Sequence, residues 1–174
     1  MRYRQSIEDE NNVNFFRLGI SNGTANWYFY DVYPTNVNST WTNQMWDYPR
    51  LALSNNYLYL ASNMFTPTTF ARTVLLRISL DDLKAHGALT DNYFDDSTHG
   101  TFTPVQGATS TIYWGTHHTN SIFRIFSWDE NSTTSNYYDR TVPTWSYSDG
   151  TINIARCPGP DKNNWCARTD DRVI

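Results

Sequence analysis

The sequence predicts an all-β chain built from small antiparallel sheets. Three observations carry that prediction. Short aromatic and β-branched runs alternate with polar turns along most of the chain. Helical signal is confined to one brief stretch, Asp81-Asp82-Leu83-Lys84-Ala85-His86-Gly87, with an acidic start and a glycine stop. A pattern of two strands around a polar turn occurs twice.

In chain order, residues 1–14 are polar, end in an asparagine-rich stretch and read as an N-terminal arm. They contain no apolar segment of the kind a secretory leader needs. From Phe15 the signals are β. Trp27-Tyr28-Phe29-Tyr30-Asp31-Val32 lies between Asn-Gly-Thr and Tyr33-Pro34. Tyr57-Leu58-Tyr59-Leu60-Ala61-Ser62 follows the turn pair Asn55-Asn56. Thr73–Ser79, Thr111–Thr116 and Ser121–Trp128 supply three more runs.

The recurrence sets Pro49–Asn63 beside Pro104–His117. Leu58–Asn63 aligns with Ile112–His117, and Leu75–Ser79 with Ile122–Phe126. Acidic turns close both, Asp81-Asp82 and Asp129-Glu130. A period of roughly fifty residues made of short antiparallel strands points to β-propeller blades. One small sheet cannot bury both faces alone, so neighbours must cover them. A β-sandwich or jelly roll is the alternative, its strands alike only in composition. Residues 15–174 are then blade-like, about three units. A closed ring needs more, so a larger ring or an assembly of copies completes it, and open blade edges invite self-association.

Composition narrows the function classes. The chain has 174 residues and a formal net charge of -4, with no basic block, which argues against nucleic acid as a partner. Charged residues are 17% and aromatics 16%, so rings build the core while Ser, Thr and Asn cover the surface. No apolar run reaches the length of a membrane helix. Asn22, Asn38 and Asn131 each head an N-x-[ST] sequon and are candidate glycosylation sites. Cys157 and Cys166 flank a turn-rich segment, Pro-Gly-Pro-Asp-Lys-Asn-Asn-Trp, and a disulfide between them is expected. Such a disulfide would place the chain outside the cell or on its surface.

Trp46-Asp47-Tyr48-Pro49, the Leu-x-Leu-Ser-Asn-Asn-x-Leu-Tyr-Leu-Ala-Ser-Asn-Met-Phe run and Leu-Leu-Arg-Ile-Ser-Leu-Asp-Asp-Leu resemble blades of secreted bacterial β-propellers of sialidase-like architecture. Gln106-Gly107-Ala108 before Ile-Tyr-Trp-Gly-Thr-His resembles the following blade, and Cys166–Val173 the entry into another. Ser146–Thr151 departs in spacing from the Asp-box turn of that family. The resemblance covers residues 27–174 and implies architecture; such propellers include hydrolases and proteins without assigned chemistry. Sialidase chemistry would imply an arginine triad, an acid Asp and a Tyr nucleophile with a Glu. Glutamate occurs only at Glu8, Glu10 and Glu130, which argues against that pair.

The candidate ligand-binding residues are Asn63, Trp114, His117, His118 and Arg124. His117-His118 follows a strand ending Trp114-Gly115-Thr116, and strand ends of a blade project where ligands bind. Asn63 holds the equivalent position of the earlier unit. No catalytic residue is selected. The pairs Asp81-Asp82, Asp95-Asp96 and Asp170-Asp171 read as turn caps, since neighbours on a strand point to opposite faces. Calcium is the alternative for such loop carboxylates, but no D-x-D-x-D-G loop occurs and no cofactor is required. The expectation is a non-enzymatic surface module for adhesion, glycan or protein binding, or filament assembly. A fragment of a glycan-processing hydrolase is the alternative, and it requires Arg124, His117 and a carboxylate in one pocket.

Overall fold

The computed structural model describes residues 14–144, apart from 22, 24, 25 and 68, together with the backbone of Ile7–Glu8. Cys157, Cys166, Asn22 and the segments Ser146–Thr151, Cys166–Val173 and Asp170-Asp171 lie outside the described residues.

The fold is all-β, with three small antiparallel sheets and none closed into a barrel. The first sheet joins β1 (Ile7–Glu8), β2 (Asn14–Ile20) and β3 (Tyr28–Val32). The second is a meander of β4 (Met45–Leu53), β5 (Tyr57–Phe65), β6 (Phe70–Ser79) and β7 (Asp91–Asp96). The third is a second four-stranded meander, β8 (Thr103–Pro104), β9 (Thr111–Thr119), β10 (Ile122–Asp129) and β11 (Asn136–Thr141). A short helix α1 (Pro34–Val37) starts on the fixed φ of Pro34, and α2 (Leu80–Ala85) forms where the acidic start predicts it. Ser79 caps α2 by accepting from the Asp82 N–H, and His86 ends it in the left-handed region. No helix among the described residues is long and apolar enough to cross a membrane. Part of the predicted arm is strand: Ile7 pairs with Phe15 and Glu8 with Asn14.

The second sheet lies between the other two, because period-two alternation gives it two apolar faces. Leu58, Leu60, Met64, Val74, Leu76 and Ile78 pack with Phe16, Val32, Trp41 and Trp46 beneath the first sheet. Ala52, Tyr59, Ala61 and Leu75 pack with Phe102, Ile112, Trp114, Phe126 and Trp128 beneath the third. Each connection between sheets adds a buried ring, Trp41 between the first pair and Phe102 between the second. Full burial of one such side chain contributes about 1.5–3 kcal/mol.

The aligned segments do occupy the second and third strands of the two meanders. The ladders correct the alignment of the third strands. Leu60 sits opposite Leu76, and Trp114 opposite Phe126, so Leu76 corresponds to Phe126 and not to Phe123. The sequence pairing of Arg77 with Arg124 is therefore three residues out of step. Arg77 lies opposite Tyr59, Arg124 opposite Thr116, and they face different sides of their sheets. The shared Leu/Ile-x-Arg-Ile pattern misled because an alternating strand matches itself at several offsets.

Candidate functional site

Two polar assemblies join the second and third sheets, one at each end. At the turn end, the Glu130 carboxylate accepts from Ser54 Oγ, the Asn56 backbone N–H at 2.9 Å and Asn56 Nδ2 at 2.6 Å. Burial opposes the charge of Glu130, but these three donors outweigh it and hold its pKa below the usual carboxylate range. Beside it Arg77 is only 4% exposed. Its guanidinium lies 4.1 Å from the Trp128 ring centroid and 4.8 Å from that of Tyr57, and donates to the carbonyls of Asp129 and Ser132.

At the opposite end the structure gathers a second assembly. Asn63, from β5, accepts at Oδ1 from Thr73 Oγ1 at 2.8 Å and from the Thr101 backbone N–H at 2.7 Å. It thereby holds Thr101 at φ 55°, a backbone region a β-branched residue seldom enters. Two residues earlier, buried His99 places Nδ1 2.6 Å from Asp96 Oδ2 and Nε2 2.6 Å from Nδ1 of His118. Burial disfavours the charge of Asp96; the His99 imidazole and the N–H groups of Thr98 and His99 outweigh it and lower its pKa. Alongside, Arg124 grips Asp139 with two bonds, Nε at 2.7 Å and Nη2 at 2.8 Å, and its guanidinium lies 4.1 Å from the Tyr137 ring centroid. Arg124 lowers the Asp139 pKa chiefly through those bonds, and His118 and His99 add to the effect.

The predicted site residues thus separate. Asn63, His118 and Arg124 belong to this end of the joint. Trp114 is buried, its ring stacked on Phe126 at 5.1 Å and 5°, and it serves the core; it also borders the groove on the sheet's other side. His117 and His118 lie within β9 rather than beyond its end, so they face opposite ways. His117 packs edge-on against Phe123 on the outer face, while Arg124 faces inward. The convergence of Arg124 with His117 that a hydrolase reading requires does not occur. Of the sequons, Asn131 is exposed, and Asn38 donates its amide to Tyr93 Oη at 2.9 Å. Among the described residues, no group of three or more His, Cys, Asp or Glu could hold a metal ion.

Sequence reasoning missed Asp96, His99 and Asp139 as site members. Asp96-Ser-Thr-His99 carries a local signal, an Asx turn in which Asp96 Oδ1 accepts from the Thr98 and His99 N–H groups. The meeting of His99 with His118 has none, since it depends on the packing of two sheets.

The outer face of the third sheet carries a groove of about 640 Å³, bordered by Val105, Gln106, Tyr113, Gly115, Phe123 and Ile125. Tyr113 and Gly115 correspond in register to Tyr59 and Ala61 of the second sheet. Tyr59 is 0% exposed beneath the third sheet, whereas Tyr113 is 45% exposed. Phe123 lies over Gly115 so closely that a Cβ there would stand 2.3 Å from its ring. Comparison with protein families, curated proteins and solved structures finds no match for the chain.

Proposed function

We propose that the chain is a non-catalytic binding and assembly module of the cell surface, its two meanders being successive blades of a propeller-like stack. One observation carries this reading: the Tyr113 face repeats the plan of the Tyr59 face, yet only the Tyr59 face is covered among the described residues. Ala61 leaves room for the rings of the third sheet, whereas on the Tyr113 face Phe123 already covers Gly115, so that ring and Tyr113 are themselves presented to an opposing face. The groove's occupant is then another aromatic sheet face, supplied by a second copy of the chain. Exposed Tyr113 and Tyr138 also suit a glycan, stacking on sugar rings beside the Gln106 amide. Low charge, sequons and two cysteines support an extracellular setting.

Light scattering over a concentration series tests the assembly reading. Association is expected for the native chain and is lost in Tyr113→Asp, with an unchanged circular dichroism spectrum. A native chain that stays monomeric at every concentration, and that a glycan panel does not retain, overturns the proposal.

A further inference from the structure

The chain Asp96–His99–His118 ties the connection between β7 and β8 to strand β9. Its proton inventory follows from donor and acceptor chemistry. The Asp96 carboxylate only accepts, so His99 Nδ1 carries a proton. In neutral His99 the other nitrogen, Nε2, is then an acceptor, and His118 Nδ1 donates to it. One positive charge on the pair is compatible with that bond, because His118 Nε2 can take up the proton. A second is not. It would set N–H against N–H across 2.6 Å.

We propose that the Asp96–His99–His118 chain is an acid-operated latch between the second and third sheets. At neutral pH the His–His bond holds the connection 97–102 against β9. Uptake of the second positive charge breaks the bond and frees that connection. The groups facing the pair set its charge balance. Asp96 comes from β7 and the Arg124–Asp139 pair from β10 and β11, while the Asp95–Arg72 pair lies on the other face of the second sheet, where Arg72 stands over Trp41. His117 follows the other face of β9. The Arg124–Asp139 pair balances internally, leaving Asp96 as the uncompensated anion, enough for one imidazolium and not for two.

Two features make the connection ready to move once released. Thr101 is held in an unfavourable backbone region by Asn63. Phe102, next in sequence, is buried among Phe94, Trp114 and Phe126, so release opens an aromatic core.

The test follows binding of an apolar dye and hydrogen exchange of residues 97–102 between about pH 7.5 and about pH 5, where imidazoles titrate. The native chain is expected to open on acidification while its far-ultraviolet dichroism persists. His118→Gln retains an amide able to donate to His99 Nε2 but cannot ionise. The pair can then carry only one positive charge, and the amide can turn to accept from a protonated His99 Nε2, so opening should be lost across this pH range. His86→Gln, at the distant end of α2, should leave the profile unchanged. Heteronuclear NMR of the native imidazoles tests the latch without any variant: His99 and His118 should titrate in two coupled steps. Native protein that does not open, an unaltered profile in His118→Gln, or independent titration of the two rings overturns the proposal.

Discussion

The two faces of the second sheet solve the same burial problem differently. Toward the first sheet it presents Leu58, Leu60, Met64, Val74, Leu76 and Ile78, with Trp41 and Trp46 set against them. Toward the third it presents Ala52, Ala61, Leu75 and Tyr59; the partner sheet supplies Trp114, Phe126 and Trp128, and the connection adds Phe102. The first joint sets an aliphatic sheet face against the rings of Phe16, Trp41 and Trp46, with Asn14 buried beside them and bonding the Trp46 backbone. The second is a small-against-large fit of rings, closed at both ends by polar assemblies. Aliphatic packing is forgiving because branched side chains repack; a ring over an alanine fits in one way.

Substitutions can break that contrast in order of size. Trp114→Ala removes the ring stacked on Phe126 and should cost about 3–5 kcal/mol by urea unfolding. Ala61→Leu places a larger side chain against the aromatic cluster and should cost about 1–3 kcal/mol, while Leu76→Met on the other face should cost less than about 1.5 kcal/mol. Equal costs for those two would dissolve the contrast. Glu130→Gln should cost about 1 kcal/mol at neutral pH, discounted for solvent screening at this partly exposed latch. The folded-state pKa of Glu130 is lowered, so its contribution is fully present above the unfolded value of about 4.3 and is lost as pH falls through the folded one. The acid limb of a stability–pH profile should therefore be shallower in Glu130→Gln than in the native chain. Ser79→Ala should cost only about 0.5–1 kcal/mol through loss of the α2 cap.

Much of the fold is legible in the sequence, for local reasons. The runs at Tyr57, Thr73, Thr111 and Ser121 carry β-branched and aromatic residues between turn formers, and each lies in a strand apart from Ser121 itself, which turns into β10. α2 announces itself through Ser79, Asp81 and Asp82. The edge strands escaped notice. Asp91-Asn-Tyr-Phe-Asp-Asp96 and Asn136-Tyr-Tyr-Asp-Arg-Thr141 read as polar connections, because each is held by a neighbour on one side only. The His99–His118 bond was illegible for a different reason. Nineteen residues separate the partners, and nothing local states which sheet face each will occupy. The sense of His117 and His118 turned on three residues of strand length, since ending β9 at Thr116 or at Thr119 decides whether alternation applies to them.

Strands β7 and β11 have a consequence for how the molecule meets its neighbours. Asp91, Asp95 and Asp96 line one margin and Asp139 and Arg140 the other. Ionised side chains on a border strand resist lateral docking by a stranger's backbone. On the proposed reading, contact would then fall on the broad aromatic surface around Tyr113. Any polymer this protein enters would lengthen like a pile of plates and not spread like a woven ribbon.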